Sequence, residues 1–181
     1  MNKSVDITDV ELRTPRLLLR PWREDDLADF NAYARVDGVG QPAGWPPHRD
    51  LEESRSILSR FIEGRRTFCL EDQGRAVGSV GVEEYDEAAF PELAERQGRM
   101  IGYVLAKDCW GRGLMPEAVT AVVRWLFDDV GLDFIAIGYY AWNARSARVA
   151  EKCGFTPVKR DTHATKLGTV EDHVWTMRWK V

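Results

Sequence analysis

Asp108-Cys-Trp-Gly-Arg-Gly-Leu-Met-Pro-Glu-Ala118 is the stretch on which the fold turns. Upstream of it, Met100 to Ala106 is a short apolar run rich in strand-forming residues. Downstream, Met115, Ala118, Val119, Val122, Trp125 and Leu126 recur at helical spacing and give one apolar face. The segment reads as strand, glycine-paired loop, helix. Gly111 and Gly113 let the backbone turn tightly and approach a ligand closely. Pro116 suits the first helical turn, where an absent N–H costs little. Free amides there, backed by the helix dipole, make an anion site, so the loop is a candidate seat for a phosphate-bearing cofactor. An ordinary strand-to-helix turn would carry the same signature. The loop lacks the Lys-Ser/Thr pair of a P-loop and the third glycine of a dinucleotide fingerprint.

Asp133 to Trp142 is a second apolar run, followed by Asn143-Ala-Arg-Ser-Ala-Arg-Val-Ala-Glu-Lys-Cys-Gly-Phe155. Asn143 suits a helix N-cap and Gly154 a C-terminal stop. Ser146, Val149, Ala150 and Cys153 fall at i, i+3, i+4 and i+7, so Ser146 begins the inward-facing stripe. Its hydroxyl is either a proton donor or a partner for first-turn backbone.

Together these segments resemble the GNAT acetyltransferase superfamily. The match rests on Ile101-Gly-Tyr-Val-Leu105, Trp110-Gly-Arg-Gly113, Pro116-Glu-Ala118, and Asn143-x-x-Ser146 followed by Glu151-Lys-Cys-Gly-Phe155. The opening Thr14-Pro-Arg-Leu-Leu-Leu-Arg-Pro21, with Asp25-Asp26 soon after, resembles the branch holding the ribosomal-protein N-terminal acetyltransferases. The resemblance implies an acyl-coenzyme A acyltransferase fold and acetyl-CoA as co-substrate, with no metal. It implies pantetheine along Tyr103, Val104 and Leu105, a backbone amide there as oxyanion donor, and the pyrophosphate on Gly111, Arg112, Gly113, Leu114 and Met115. A splayed next strand would let the cofactor pass beside the Asn143 side chain. Ser146 matches the branch's general acid for the departing thiolate. Asp108 stands where the superfamily often has Gln or Arg, and is no phosphate ligand; Met100 stands where a strand-borne glutamate is often found.

Composition agrees with one soluble domain. The chain has 181 residues, 44% of them hydrophobic, enough for a sizeable core. The formal net charge of −4 gives no field that draws nucleic acid. Cys69, Cys109 and Cys153 cannot all pair within one chain and show no metal spacing, which fits a reducing cytoplasm. Nothing in the sequence reads as a signal peptide or a membrane span.

Residues 1–10 read as a polar, loosely held leader and 11–181 as a single N-acetyltransferase domain. Leu17 to Trp22 reads as a strand, Asp25 to Arg35 as a helix, and Asp37 to His48 as a loop rich in Gly and Pro. Asp50 with Glu53 forms a capping box for a helix through Glu63, stopped by Gly64. Thr67–Leu70 and Ala76–Val82 bracket a turn and suggest a hairpin. Glu83 to Gln97 reads as a polar, acidic connection. A strand near Phe155 to Lys159, a polar loop to Thr169 and a last strand with His173, Trp175, Met177 and Trp179 on one face complete the chain. Helices set between hairpins point to an α+β fold: a mixed, mostly antiparallel sheet flanked by helices.

The implied reaction moves acetyl from acetyl-CoA to a primary amine by direct attack in a ternary complex. The amine must shed a proton, the reactants must be held together, and the carbonyl oxygen needs a donor as charge builds on it. Glu83 is the first candidate base; Glu84, His163 and a water chain are alternatives, and an acidic surface loop explains Glu83 and Glu84 equally well. His48 and His173 show no metal spacing, His173 is expected to hydrogen-bond within the sheet, and Trp45 is either a substrate wall or a loop anchor. The acceptor is a protein N-terminal α-amine or a small amine such as a polyamine, amino acid or antibiotic. The chain is a monomer or homodimer. A non-catalytic acyl-CoA-binding sensor would keep the loop yet need neither Ser146 nor a base.

Overall fold

The expected hairpin closes on two residues, Gln73 and Gly74, whose φ values of 51° and 81° suit the twist of the strands they join. In the computed structural model, which describes residues 1–180, that hairpin belongs to a single eight-stranded sheet. Its strands are β1 (Leu12–Arg13), β2 (Leu18–Pro21), β3 (Thr67–Asp72), β4 (Arg75–Glu83), β5 (Gly98–Leu105), β6 (Phe134–Tyr140), β7 (Thr156–Ala164) and β8 (Val170–Trp179). Their order is β1-β2-β3-β4-β5-β6-β8-β7. All neighbours run antiparallel except β5 and β6. Four helices accompany the sheet: α1 (Leu27–Ala34), α2 (Leu51–Gly64), α3 (Leu114–Asp128) and α4 (Ala144–Lys152). This is the mixed, mostly antiparallel α+β architecture that the sequence implies.

The parallel pair shapes the molecule. β5 and β6 pair over only Gly98↔Phe134, Arg99↔Ile135 and Met100↔Ala136. Beyond that, β5 follows β4 as far as Leu105↔Gly78, while β6 stays with β8 along its length. The two strands therefore part, and a gap opens between Ile101–Leu105 and Gly138–Tyr140.

β6 is buried on both faces, as a strand inside a two-sided sheet must be. Ile135 and Ile137 join the main core with Val122 and Leu126 of α3. Phe134 and Ala136 turn the other way, into a smaller core with Tyr85, Phe90, Leu93, Trp175 and Met177. This corrects the reading of Glu83 to Gln97 as merely a polar connection. Its acidic residues face solvent, but Tyr85, Phe90 and Leu93 are 5% exposed or less and cover the second sheet face. Each such side chain contributes about 1.5–3 kcal/mol by burial.

Local signals hold with small shifts. Asp50 caps α2 by accepting from Glu53 N at 2.8 Å, but the Glu53 carboxylate accepts from Arg49 N rather than from Asp50 N. Gly64 lies within α2, and Arg65, at φ 51°, makes the left-handed exit. α4 ends as expected: Gly154 N donates to Glu151 O and Phe155 N to Ala150 O, both at 3.0 Å, a paired C-terminal closure. β7 is longer than expected, so His163 lies on a strand opposite Glu171 instead of in a polar loop.

Residues 1–10, expected as a loose leader, make specific contacts. Asn2 forms a bridge with Gly98 and its amide donates to Tyr85 O at 3.0 Å, while Ile7 is 1% exposed in the main core. Val5 and Val10, half-buried, pack against the same core beside it. Below α1, Arg20 and Asp26 form a buried bidentate pair, with both contacts at 2.8 Å. No helix of residues 1–180 is long and apolar enough to cross a membrane.

Candidate active site

Two cavities meet at the parting of β5 and β6. The larger, about 580 Å³, runs along the gap from the Gly111–Pro116 loop past Ser146 to His163 and His173. The smaller, about 380 Å³, lies between α1, α2 and β4. They share Ala43, Gly102, Tyr103 and Val104.

The main chain of β5 supplies one wall of the larger cavity. Ala106 N donates to Val77 O at 2.7 Å. Antiparallel pairing alternates, so Val104 and Gly102 also turn their polar groups toward β4. Ile101, Tyr103 and Leu105 turn theirs toward the gap. Leu105 O is already taken by Trp110 Nε1 at 2.8 Å. Of the three residues implied for pantetheine, Tyr103 thus has the main chain best placed to pair with an extended ligand.

At the far end, Gly111 and Gly113 both adopt φ 76°, and Gly113 is the N-cap of α3. That conformation costs an L-residue roughly 1–2 kcal/mol. The first helical hydrogen bond is Glu117 N to Gly113 O at 3.3 Å, so Leu114 and Met115 N–H have no helix partner, and Pro116 has none to offer. These amides fit a pyrophosphate.

A carboxylate in the first turn would oppose an anion there, and Glu117 is that carboxylate. The structure answers it with the Thr14-x-Arg16 element. Thr14 Oγ1 donates to Glu117 Oε1 at 2.6 Å, Arg16 N to the same oxygen at 3.0 Å, and Arg16 Nε to Oε2 at 2.8 Å. Arg16 also donates to Arg112 O at 2.7 Å. Burial pushes the Glu117 carboxyl up, but these bonds more than offset it and hold it below the usual carboxylate range. The sequence marked Thr14 and Arg16 only as a resemblance.

The nearby charges are mostly engaged. Arg112 pairs with Asp72 at 3.3 Å, and Arg145 lies over the Trp110 ring, 4.2 Å from its centroid. Asp108 pairs with Arg75 at 2.8 Å. Burial pushes the Cys109 thiol up, with Asp108 adding to it. Asn143 lines the cavity, but its amide serves the protein at both ends: Oδ1 accepts from Ser146 N at 3.1 Å and Nδ2 donates to Pro42 O at 3.2 Å.

Ser146 is 9% exposed, and its hydroxyl lies 2.7 Å from Tyr103 Oη. Burial pushes the Tyr103 phenol up, partly offset by that bond, so it is a neutral donor at physiological pH. Helical phase put Ser146 on the inner face; pairing it with a strand residue 43 positions away needed the tertiary fold.

Glu83 lines the smaller cavity, half-exposed, with Arg66 at 3.9 Å. Glu84 lies outside both cavities and meets Arg66 and Arg99, each at 3.5 Å. His163 and His173 line the far end of the larger cavity, ring centroids 5.4 Å apart. Burial lowers the His173 pKa; Nδ1 lies 3.5 Å from Asp161 Oδ1 without closing a hydrogen bond, so the expected sheet bond is not made. Gly138 explains the ring's position, since a Cβ there would lie 2.4 Å from His173 Cε1. Trp45 walls the smaller cavity and packs on His48, centroids 5.2 Å apart.

Comparison with known proteins agrees with this geometry. Residues 16–156 match the model of an acetyltransferase (GNAT) domain. A relative named as a probable N-acetyltransferase, YjcK of Bacillus subtilis, is 35% identical over 172 residues, 94% of this chain and 88% of its own. Among solved structures, a GNAT-family acetyltransferase from Bacillus anthracis superposes with a TM-score of 0.82 at 20% identity, covering 94% of this chain and 98% of its own. The ribosomal-protein-S5-alanine acetyltransferase of Vibrio fischeri superposes at 0.73 with 23% identity, covering 96% of this chain and 100% of its own.

Proposed function

Because this chain belongs to the GNAT acetyltransferases and is an acetyl-CoA-dependent N-acetyltransferase, we propose that its two cavities divide the reaction between them. The larger is the cofactor groove, and the smaller is the acceptor chamber. Acetyl-CoA supplies an activated thioester. The amides of Leu114 and Met115, at the turn made by Gly111 and Gly113, hold its pyrophosphate, and the Tyr103 main chain pairs with pantetheine.

The acceptor amine enters from the chamber over Gly102. Glu83, the half-exposed carboxylate of that chamber, takes the amine proton directly or through water. A gap-facing amide of β5 donates to the carbonyl oxygen as charge develops. The Ser146 hydroxyl gives its proton to sulfur as the C–S bond breaks and the C–N bond forms. Tyr103 Oη, 2.7 Å away, orients that hydroxyl, and solvent restores its proton after the transfer. The acceptor is a primary amine, and a protein N-terminal α-amine suits the ribosomal-protein branch signature at Thr14–Pro21.

The observation that carries this reading is the junction itself, where both cavities touch Tyr103 and Tyr103 touches Ser146. The test is calorimetric titration with acetyl-CoA of the parent and of Gly113→Glu, which forces a side chain into φ 76° and adds a negative charge. Micromolar binding by the parent, lost in the variant, is expected. Equal binding by both would remove the loop from the groove.

A further inference from the structure

Glu83 removes one proton from the acceptor, but an ammonium must lose two to become an amide. One of them is matched by the proton that ends on sulfur, and the other is released. Glu83, with Arg66 at 3.9 Å, holds one proton at a time, so a second acceptor beside the attacking nitrogen would complete the balance.

The parted strands hold such a group. Met100↔Ala136 is the last pair of β5 and β6, so Gly102 and Gly138, two residues further on, face each other across the start of the gap. Residues two apart share a sheet face. Both glycines therefore leave open the face of Met100 and Ala136, and the larger cavity reaches both of them. Glu83, opposite Met100 on β4, lies on this face. His173 covers the Gly138 side: a Cβ on Gly138 would lie 2.4 Å from its Cε1 and 2.6 Å from its Nε2. Nε2 closes no hydrogen bond among the described residues and, unlike Nδ1, is not sealed from the cavity. An amine entering over Gly102 thus has Glu83 on one side and the His173 ring across the gap.

The other ring nitrogen has a fixed partner. Nδ1 is buried, and the polar atom it faces is Asp161 Oδ1 at 3.5 Å. Asp161 stands opposite His173 in the β7–β8 register, and its Oδ2 accepts from Trp175 Nε1 at 2.9 Å. A proton on Nδ1 is held toward that carboxylate, and Nε2 keeps its lone pair for the cavity. The other titratable groups facing the ring are His163 of β7, with ring centroids 5.4 Å apart, and Tyr140 of β6, at 5.9 Å. Glu171 of β8 is engaged by Trp142 Nε1 at 3.0 Å, and Lys159 of β7 donates to Ala89 O at 2.9 Å. Burial lowers the His173 pKa, with Asp161 opposing, so the ring is neutral and can accept a proton at physiological pH.

We propose that His173 Nε2 is the second proton acceptor of the reaction, with Asp161 as its positioning residue. Glu83 first takes a proton from the ammonium and frees the lone pair. As the C–N bond forms, the nitrogen becomes cationic again and gives its next proton to Nε2. The C–S electron pair goes to sulfur, which Ser146 protonates. Glu83 and His173 return their protons to solvent, solvent restores that of Ser146, and one proton is released per turnover. The proposal rests on the amine entering over Gly102.

The test compares the parent with His173→Gln, Asp161→Asn and Glu83→Gln, each with its fold verified by melting temperature. Thiol release from acetyl-CoA is followed at pH 7.0 with L-alaninamide, largely an ammonium there, and with hydroxylamine, already neutral. His173→Gln should lower kcat about 100-fold with both acceptors, and Glu83→Gln with L-alaninamide alone. Nitrogen NMR of the histidine rings, which needs no acceptor, reads the tautomer. The parent should show a neutral His173 protonated at Nδ1. In Asp161→Asn the side-chain oxygen stays with Trp175 and its amide donates to Nδ1, so the proton should move to Nε2. A parent ring protonated at Nε2, or a His173→Gln variant that keeps its kcat with hydroxylamine, would overturn the proposal. Acetylation of neither amine by the parent would do the same. A Glu83→Gln variant that affects both acceptors alike would instead overturn the first proton step, and coenzyme A that fails to bind would overturn the division of the two cavities.

Discussion

The proposed cofactor groove and the proposed acceptor chamber share Tyr103 but are built from different materials. The groove is chiefly main chain: a strand edge bared where β5 leaves β6, and amides bared at a helix start. The chamber is chiefly side chain, gathered from α1, α2, β3, β4 and the Trp45 loop. A main-chain site recognises what every acyl-coenzyme A shares, an extended amide chain and a pyrophosphate. A side-chain site changes its ligand with each substitution. This contrast explains how one fold keeps its cofactor while its acceptor varies.

Four experiments break or sharpen the contrast. The largest effect is expected from Arg20→Ala, beneath the chamber. It leaves the buried Asp26 carboxylate unpaired and should lower unfolding free energy by about 3–5 kcal/mol, read by urea denaturation. Acetyl-CoA affinity should survive wherever the variant remains folded. A loss under about 1 kcal/mol would mean that water replaces the arginine.

Ser146→Ala acts at the junction. It should lower kcat about 100-fold, the low end for a positioned proton donor, and leave acetyl-CoA affinity unchanged. Tyr103→Phe should do the same to a smaller degree. A Kd that moves with kcat would make Ser146 a binding group instead.

Within the groove, Arg16→Gln exposes Glu117 to the arriving pyrophosphate. Coenzyme A affinity should fall about tenfold, or ~1.4 kcal/mol, while pantetheine, which has no phosphate, should bind as before. Glu117→Gln added to Arg16→Gln should recover most of the loss. Absence of recovery would reduce Arg16 to a structural tie.

The smallest effect concerns pH. Burial lowers the pKa of His48, beside the chamber, and of His173. As pH falls below the ordinary histidine value, the unfolded chain takes up protons that the folded chain refuses. The stability these neutral rings contribute is therefore present above that value and declines as pH drops toward the folded pKa values. A melting-temperature profile from pH 7.5 to 5.5 should slope downward, and His48→Gln should flatten it. An identical slope in that variant would assign it elsewhere.

Much of the fold was legible because its signals are local. The Gln73-Gly74 turn, the Asp50 and Asn143 caps, the Gly154 stop and the apolar stripe of α3 each depend on residues within one or two turns of chain. The errors share an opposite cause. Glu83 to Gln97 looked polar because only Tyr85, Phe90 and Leu93, widely spaced, carry its packing. Residues 1–10 read as loose because only Ile7 among them is fully buried, while Val5, Val10 and the Asn2 contacts that complete the anchoring reach partners far along the chain. His163 carries a loop-like signal because the alternation of β7 is weak on an exposed edge, where burial does not enforce it.

The glycine-paired loop, the inward placement of Ser146 and the mixed sheet were determined by the sequence alone, since backbone conformation and helical phase depend on neighbours in the chain. The tertiary structure decided which distant groups meet: Tyr103 with Ser146, Arg16 with Glu117, Phe30, Trp45 and Glu83 around one chamber. Those partners come from strands and helices whose proximity is set by sheet order and by the parting of β5 from β6, and no local pattern encodes that distance.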